Sequence, residues 1–290
     1  MRIAILGPTA SGKSALAVAV AARIRGTVVN GDVFQAFRDI PIGTGQPGGA
    51  ERGGVPHRLY GVFPLAARPN PASFGAEVRR ELEGLERAVL VTGSGLYLRG
   101  IWGQLSELPE VPEALTARVR AWADRLPVPL LHRYLAAVDP ARAAALHPRD
   151  GSRVQRALAL HLATGRRPGE LLSGVARGVP EGWRALLVLP SREAQRRRVA
   201  ARVRDMVGAG WEAEVAAAVA AGHGEDLRAL RPLGYLDWME GGAGAEERIV
   251  RATQAYAKRQ ATFFRNQWPE LPCWDPDGEP LEAAFAHLGI

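Results

Sequence analysis

The chain has a single cysteine, Cys273, so an intrachain disulfide is excluded, and so is a zinc site built from several thiolates. It has two lysines, Lys13 and Lys258; the rest of its 37 basic residues are arginine. The six histidines show no H-x-x-H or H-x-H spacing, and none reads as a metal ligand. No apolar run reaches membrane-spanning length. A glycine-rich motif begins only six residues from Met1, too close for a secretory leader. The expected protein is therefore cytoplasmic, with no membrane partner. There is no internal repeat and no low-complexity tract. What is plentiful is arginine, alanine and glycine, giving a net charge of +7 and a pI of about 10.2, a balance that suits a polyanionic partner. With 290 residues, 47% hydrophobic and 23% charged, the chain can bury a full core in one or two domains.

The chain is organised around its first fourteen residues. Met1 to Leu6 is an apolar run of strand length that opens into Gly7-Pro8-Thr9-Ala10-Ser11-Gly12-Lys13-Ser14, followed by a helix-prone stretch from Ala15 to Arg23. Strand, G-x-x-x-x-G-K-[ST] and helix in that order are a P-loop in its proper context. Glycines let backbone N–H groups turn inward around a phosphate, and the helix N-terminus adds positive potential. Lys13 supplies a point charge, and Ser14 can offer its hydroxyl to Mg²⁺. The motif specifies phosphate and leaves the donor, ATP or another, open.

Further along, Thr27 to Asn30 is a second short strand that delivers Asp32 to the carboxyl edge of a sheet, where open α/β sheets bind ligands. Phe34 to Pro56 reads as a long Gly- and Pro-rich loop over the site, Pro71 to Glu86 as a helix, and Ala88 to Thr92 as a third buried strand breaking at Gly93-Ser94-Gly95. Strands alternating with helices predict an α/β fold, a P-loop-type parallel sheet with helices on both faces. From about Glu110 to Arg177 the strand pattern disappears; proline-punctuated amphipathic helices carry 11 arginines against 5 acids between Val111 and Arg177. Trp183 to Leu189 restores a strand. The expected organisation is a core of residues 1–109 and 179–290 interrupted by a basic, all-helical insert of 110–178. Ser191 to Val207 reads as an Arg-rich helix with Val199, Val203 and Met206 on one face and Arg198, Arg202 and Asp205 on another. Trp211 to Ala221 reads as a further helix, and Ala245 to Trp268 as a long one bearing a basic stripe of Arg251, Lys258 and Arg265.

A kinase or NTPase P-loop normally works with a second carboxylate at the end of another strand. The third strand here ends in Thr92-Gly93-Ser94, without one, so Asp32 is the best-placed acid-base group. A nucleotide or small-molecule kinase with a helical lid is the rival reading, and an RNA-binding protein with a vestigial P-loop a third. The missing second acid and the basic insert oppose the first, and an intact Lys13, Ser14 and Asp32 oppose the second.

These residues resemble the tRNA dimethylallyltransferases, also called tRNA isopentenyltransferases, over nearly the whole chain. The resemblance rests on the P-loop, Asp32-Val33-Phe34-Gln35-Ala36-Phe37, Ile42-Gly43-Thr44-Gly45, Pro56-His57-Arg58-Leu59, Gly93-Ser94-Gly95-Leu96-Tyr97, Asp139-Pro140, His147-Pro148-Arg149-Asp150, Arg153, Arg156-Ala157-Leu158, Gly234-Tyr235 and Lys258-Arg259-Gln260. It implies transfer of a dimethylallyl group from dimethylallyl diphosphate to N6 of the adenosine 3′ of a tRNA anticodon (position 37), with diphosphate released, and partners that are the anticodon stem-loop and the donor. The P-loop, Gly7 to Ser14, then cradles a diphosphate together with Ser94, which stands where the family usually has Thr. Asp32 becomes the base, Arg202 and Lys13 neutralise the leaving group, and Ser14 meets Mg²⁺, the implied cofactor. Contacts to tRNA are implied for Asp32, Val33, Phe34, Gln35 and Ser94. In the insert they fall on Ser152, Arg153, Val154, Gln155 and Arg156, and beyond it on Arg231, Gly234, Tyr235, Lys258, Arg259 and Arg265. The chain departs from the family pattern at Val33 (usually Ser), Phe37 (Tyr) and Gln46 (Lys), which puts local contacts near Asp32 in doubt. His57 and His147 lie in family motifs with structural hydrogen bonds as their expected role, the tryptophans read as packing residues, and a monomer is expected.

Overall fold

A computed structural model describes residues 1–106, 108–172 and 178–290. Two compact units make up the chain: Met1–Gly103 with Arg177–Ile290, and Gln104–Ala176. The expected insert began at 110; the helical unit begins six residues earlier, at Gln104. Residues 173–177, at the expected C-terminal boundary, lie outside the described residues.

The larger unit is built on a six-stranded parallel sheet: β1 (Arg2–Leu6), β2 (Thr27–Asn30), β3 (His57–Arg58), β4 (Ala88–Thr92), β5 (Trp183–Val188) and β6 (Cys273–Trp274), in the order β3-β2-β4-β1-β5-β6. Its central strands are apolar almost throughout because both faces are covered. Alternation decides the faces: Ile3, Ile5, Val89 and Val91 pack with Leu16, Val20 and Phe285, whereas Ala4, Leu6 and Leu90 pack with Phe74, Val78, Leu98, Val199 and Phe264. Helices Lys13–Ile24 and Leu281–Leu288 thus line one face, and Pro71–Glu83, Gly95–Ile101, Arg192–Gly208 and Ala245–Gln267 the other. β1 lies between β4 and β5, in register from Arg2↔Ala88 and Arg2↔Trp183, so the P-loop leaves the middle of the sheet.

Several expected boundaries shift for local reasons. β3 and β6 are two residues long, too short for a periodic pattern to mark. The expected loop from Phe34 to Pro56 contains a 3₁₀ turn, Val33–Ala36, capped by Asp32, and a helical turn, Pro41–Thr44, with proline at its start. The helix expected over Trp211 to Ala221 is regular only through Ala218 and continues as a π turn, Val219–His223, with Gly222 at φ 91°.

The smaller unit is helical among its described residues, with Glu113–Arg125, Val128–Val138, Pro140–Ala144, Gly151–Thr164 and Pro168–Leu171. Val119, Leu131, Leu135, Leu146, Val154 and Leu158 form its core. Its motif acids act as caps. Asp139 accepts from the Arg142 N–H at 2.9 Å and the Gly169 N–H at 2.7 Å, and Asp150 accepts from the Arg153 N–H at 3.3 Å. His147 Nδ1 likewise accepts from the Arg149 N–H.

Helices Pro71–Glu83 and Gly95–Ile101 approach so closely that a Cβ on Gly75 would stand 2.4 Å from the Gly100 carbonyl carbon. Alanine favours a helix interior over glycine by about 1 kcal/mol, but here the backbone contact opposes it. Gly75→Ala should destabilise the protein by ~1–3 kcal/mol through overpacking. Gly208→Ala, with nothing within 4 Å of its Cβ, should be neutral or stabilising by up to about 1 kcal/mol. Urea unfolding followed by circular dichroism compares the two signs.

Candidate active site

The loop after β1 is shaped before any ligand arrives. A Cβ at Gly7 would lie 2.5 Å from the Val188 carbonyl oxygen, and Gly12, at φ 92°, caps the Lys13–Ile24 helix without a side chain. No acid occupies the first turn of that helix. Its terminal N–H groups and positive dipole end are therefore uncompensated, which makes an anion site. Two glutamines from distant helices pin the loop. Gln260 Oε1 accepts from the Thr9 N–H at 2.9 Å while its Nε2 donates to the Gly93 carbonyl at 2.7 Å, and Gln195 Nε2 donates to the Thr9 carbonyl. Arg198 donates to the Ser11 carbonyl at 3.4 Å and pairs with Asp277 at 2.5 Å.

Asp32 stands where β2 ends, and its placement comes from Asn30, a buried residue. The Asn30 amide donates to the Asp32 and Leu59 carbonyls, both at 2.9 Å, and its Oδ1 accepts from the Asp32 N–H at 2.8 Å. The half-buried Asp32 carboxylate caps Phe34 N–H at 3.3 Å. It lines a cleft of about 90 Å³ with Lys13, Arg202, Phe34, Gln35, Tyr256 and Gln260. Burial pushes the Asp32 pKa above the usual carboxylate range, and Lys13, the Phe34 N–H and Arg202 hold it back. Burial, then the nearby Arg202 charge, lowers Lys13 to about 8, with Asp32 opposing. Burial also lowers Arg202, against the pull of Glu51 and Asp32. One acid faces two cations whose charges cost desolvation and repel each other, so the cleft is complementary to a further anion.

A wider groove of about 640 Å³ lies on the other flank of Arg202, bounded by Gly12, Gln46, Glu51, Arg198 and Met206. The Pro41–Thr44 turn borders both, with Pro41 and Ile42 lining the groove and Gly43 and Thr44 the cleft. Its last carbonyls hold two site residues: Gln35 Nε2 donates to Thr44 and Gly45 at 3.1 and 2.9 Å, and Arg202 donates to Gly45 at 3.3 Å. Gln46 donates to the Phe37 carbonyl at 2.6 Å, and Phe37 is fully buried. The three departures from the family pattern thus concern packing at Val33 and Phe37 and a backbone contact at Gln46.

The structure brings Thr9, Lys13, Asp32, Phe34, Gln35 and Arg202 to one cleft. Ser94 does not line it; its N–H donates to Thr92 Oγ1 at 3.0 Å. Val33, Val154, Gly234 and Tyr235 are buried; Tyr235 nevertheless lines the cleft wall, with its hydroxyl hydrogen-bonded to Glu214 and the Ile40 carbonyl. Their hydrophobic character, or for Gly234 a packing contact with Trp211, is the reason for the burial. Arg231, Lys258, Arg259 and Arg265 are exposed on the larger unit, and Ser152, Arg153 and Arg156 on the helical one, with Gln155 partly exposed. Asn30, Gln195, Glu214 and Tyr256 were not singled out from sequence. Asn30 alone left a signal, a polar residue closing an apolar strand.

Among the described residues no group of three or more His, Cys, Asp and Glu could hold a metal ion, and no helix is long and apolar enough to cross a membrane. A family model described as IPP transferase matches residues 35–267, and one described as isopentenyl transferase matches residues 1–60. A tRNA dimethylallyltransferase of Methylobacterium radiotolerans is 40% identical, covering 97% of this chain and 94% of its own. One of Methylorubrum extorquens is also 40% identical, covering 94% and 89%. The crystal structure of the tRNA isopentenylpyrophosphate transferase from Bacillus halodurans superposes with a TM-score of 0.66 at 27% identity, over 99% of this chain and 96% of that one. A likeness that runs through the P-loop, Asp32 and both units places the kinase and vestigial readings behind it: the chain belongs to the IPP transferase family.

Proposed function

We propose that the protein is a tRNA dimethylallyltransferase that moves the dimethylallyl group of dimethylallyl diphosphate to N6 of the adenosine beside the anticodon. The observation that carries this reading is the Asp32 carboxylate set in one cleft with Lys13 and Arg202 at the mouth of a P-loop helix that has no side-chain cap. The diphosphate lies on the P-loop N–H groups. As the allylic C–O bond breaks, the leaving diphosphate gains charge, and Lys13 and Arg202 stabilise it most at that moment. The exocyclic amine is a poor nucleophile because its lone pair is conjugated with the ring. Asp32 accepts its proton as the new C–N bond forms, so the products are the N6-substituted base and free diphosphate. Burial makes Asp32 a stronger base than an ordinary carboxylate, and the two cations keep it ionised.

Mg²⁺ fits this site through oxygen donors: the Ser14 hydroxyl and the diphosphate would hold it, as a metal that needs few protein ligands when phosphates supply the others. Bound there, it would add Lewis-acid neutralisation of the leaving group. The adenine must leave the anticodon stack to reach Asp32. Arg153 and Arg156 of the helical unit and the exposed stripe of Arg251, Lys258 and Arg265 supply cations for the RNA backbone, and Ser152 offers a hydroxyl. A tRNA substrate suits a cytoplasmic enzyme. Incubating the protein with labelled dimethylallyl diphosphate, Mg²⁺ and unmodified tRNA should put label in the RNA; RNA that stays unlabelled rejects the reading.

Asp32→Ala should reduce turnover by roughly 10²–10⁴ with tRNA affinity nearly unchanged. Asp32 works ionised and Lys13 works protonated. The donor kcat/KM of the wild type should therefore fall toward low pH, beginning above the usual carboxylate range, and fall again as pH rises through about 8. Lys13→Arg should remove the upper limb, since arginine stays charged; a pH-rate profile of both proteins checks this.

Arg202→Ala should lower turnover by roughly 10²–10³, more than it weakens donor binding, because its charge matters most in the transition state. Arg202→Lys should recover part of the loss. Steady-state kinetics at saturating tRNA separate the two effects.

Binding of tRNA should weaken steeply with salt, and Arg153→Ala with Arg156→Ala should flatten the log–log slope by about one unit per lost phosphate contact. Filter binding across a salt series measures the slope.

A further inference from the structure

Glu214 takes no part in the reaction above, yet this half-buried acid bonds directly to the loop that shapes the site. It lies on helix Trp211–Ala218, about 170 residues along the chain from the Pro41–Thr44 turn. That turn begins at Ile40, which supplies no side-chain cap, so its first N–H groups need a partner from elsewhere. Glu214 provides it: Oε2 accepts from the Ile42 N–H at 2.6 Å and Oε1 from the Gly43 N–H at 3.0 Å. The Tyr235 hydroxyl, itself fully buried, donates to Oε1 at 2.6 Å. The contact is close, since a Cβ on Gly43 would come 1.9 Å from Trp211 Nε1 and 2.5 Å from the Tyr235 hydroxyl.

The opposite end of the same turn presents the Thr44 and Gly45 carbonyls that hold Gln35 and Arg202. A carboxylate on two consecutive N–H groups is a charge-assisted, two-point clamp on one end. Four residues of helix transmit that position to the other. The clamp therefore decides where the Gly45 carbonyl stands, and the carbonyl decides where the Arg202 fork points.

We infer that Glu214 is a positioning residue for the transfer reaction, capping the Pro41–Thr44 turn from a distant helix so that Arg202 stands ready in the cleft. The inference rests on Arg202 being the group that neutralises the leaving diphosphate. Misplacement of a catalytic group by about 1 Å can cost 10²-fold in rate, which sets the scale of the effect.

The test is a double-mutant cycle on the full-length protein, read as kcat at saturating tRNA and donor. Glu214→Gln leaves one acceptor oxygen where two N–H groups and a hydroxyl need them; Gly43→Ala pushes the turn off Trp211 with the carboxylate intact. Each should lower kcat by about 10–100-fold, with the Michaelis constant for tRNA little changed. In an Arg202→Ala background each should cost less than about threefold more, because the group they position is gone. An equal loss in both backgrounds overturns the inference, since a residue that only stabilised the fold would act regardless of Arg202. Wild-type turnover in either single variant overturns it as well. If Arg202→Ala itself turns over normally, the fault lies instead with the role given to Arg202, and the inference falls with it.

Discussion

The Asp32 carboxylate shares a small cleft with the Lys13 ammonium and the Arg202 guanidinium, and the chemistry of the site depends on the balance among these three charges. Burial works against each of them: it raises the acid and lowers both cations. Attraction across the cleft works the other way. A carboxylate with no cation beside it would take up a proton more readily, and cations without the carboxylate would be harder to hold together. With all three present, the cleft still carries one more positive charge than negative, and a diphosphate would complete it. In the proposed reaction the same group of residues would bind the leaving group and keep the base ionised.

That balance needs fixed geometry, which comes from polar side chains gripping backbone. Asn30 holds Asp32, Gln260 and Gln195 hold Thr9, and the Pro41–Thr44 turn holds Arg202 and Gln35. In each case a buried or half-buried polar group satisfies a backbone N–H or carbonyl that the loops leave unpaired. Glycine appears where two segments must touch: Gly43 against Trp211, and Gly75 against Gly100.

The Ala245–Gln267 helix joins two tasks through its period. Ile249, Thr253, Ala257, Gln260 and Phe264 face inward, and Arg251, Lys258 and Arg265 face solvent. One face secures the phosphate loop by way of Gln260, and the other offers cations to a polyanion. Arg259 leans over the ring of Tyr256, 5.8 Å from its centroid, so the cleft wall and the outer surface meet on the same two turns.

Features carried by adjacent residues were legible in the sequence. Strand, glycine loop and Lys13 announce a phosphate site because their spacing is local. Apolar runs of five or six residues announce buried parallel strands because both faces of such a strand are covered. Asp32 could be placed at the sheet edge from the end of β2 alone, and Arg202 from its helix face and motif position. Tertiary structure decided what depends on distant partners. Glu214 meets Ile42 across 172 positions, and Gln260 meets Thr9 across 251. Neither leaves a pattern, because a hydrogen bond between two folded elements imposes no periodicity on either. For the same reason the burial of Tyr235 leaves no mark in the sequence: its environment is made by Trp211 and Glu214, not by its neighbours in the chain.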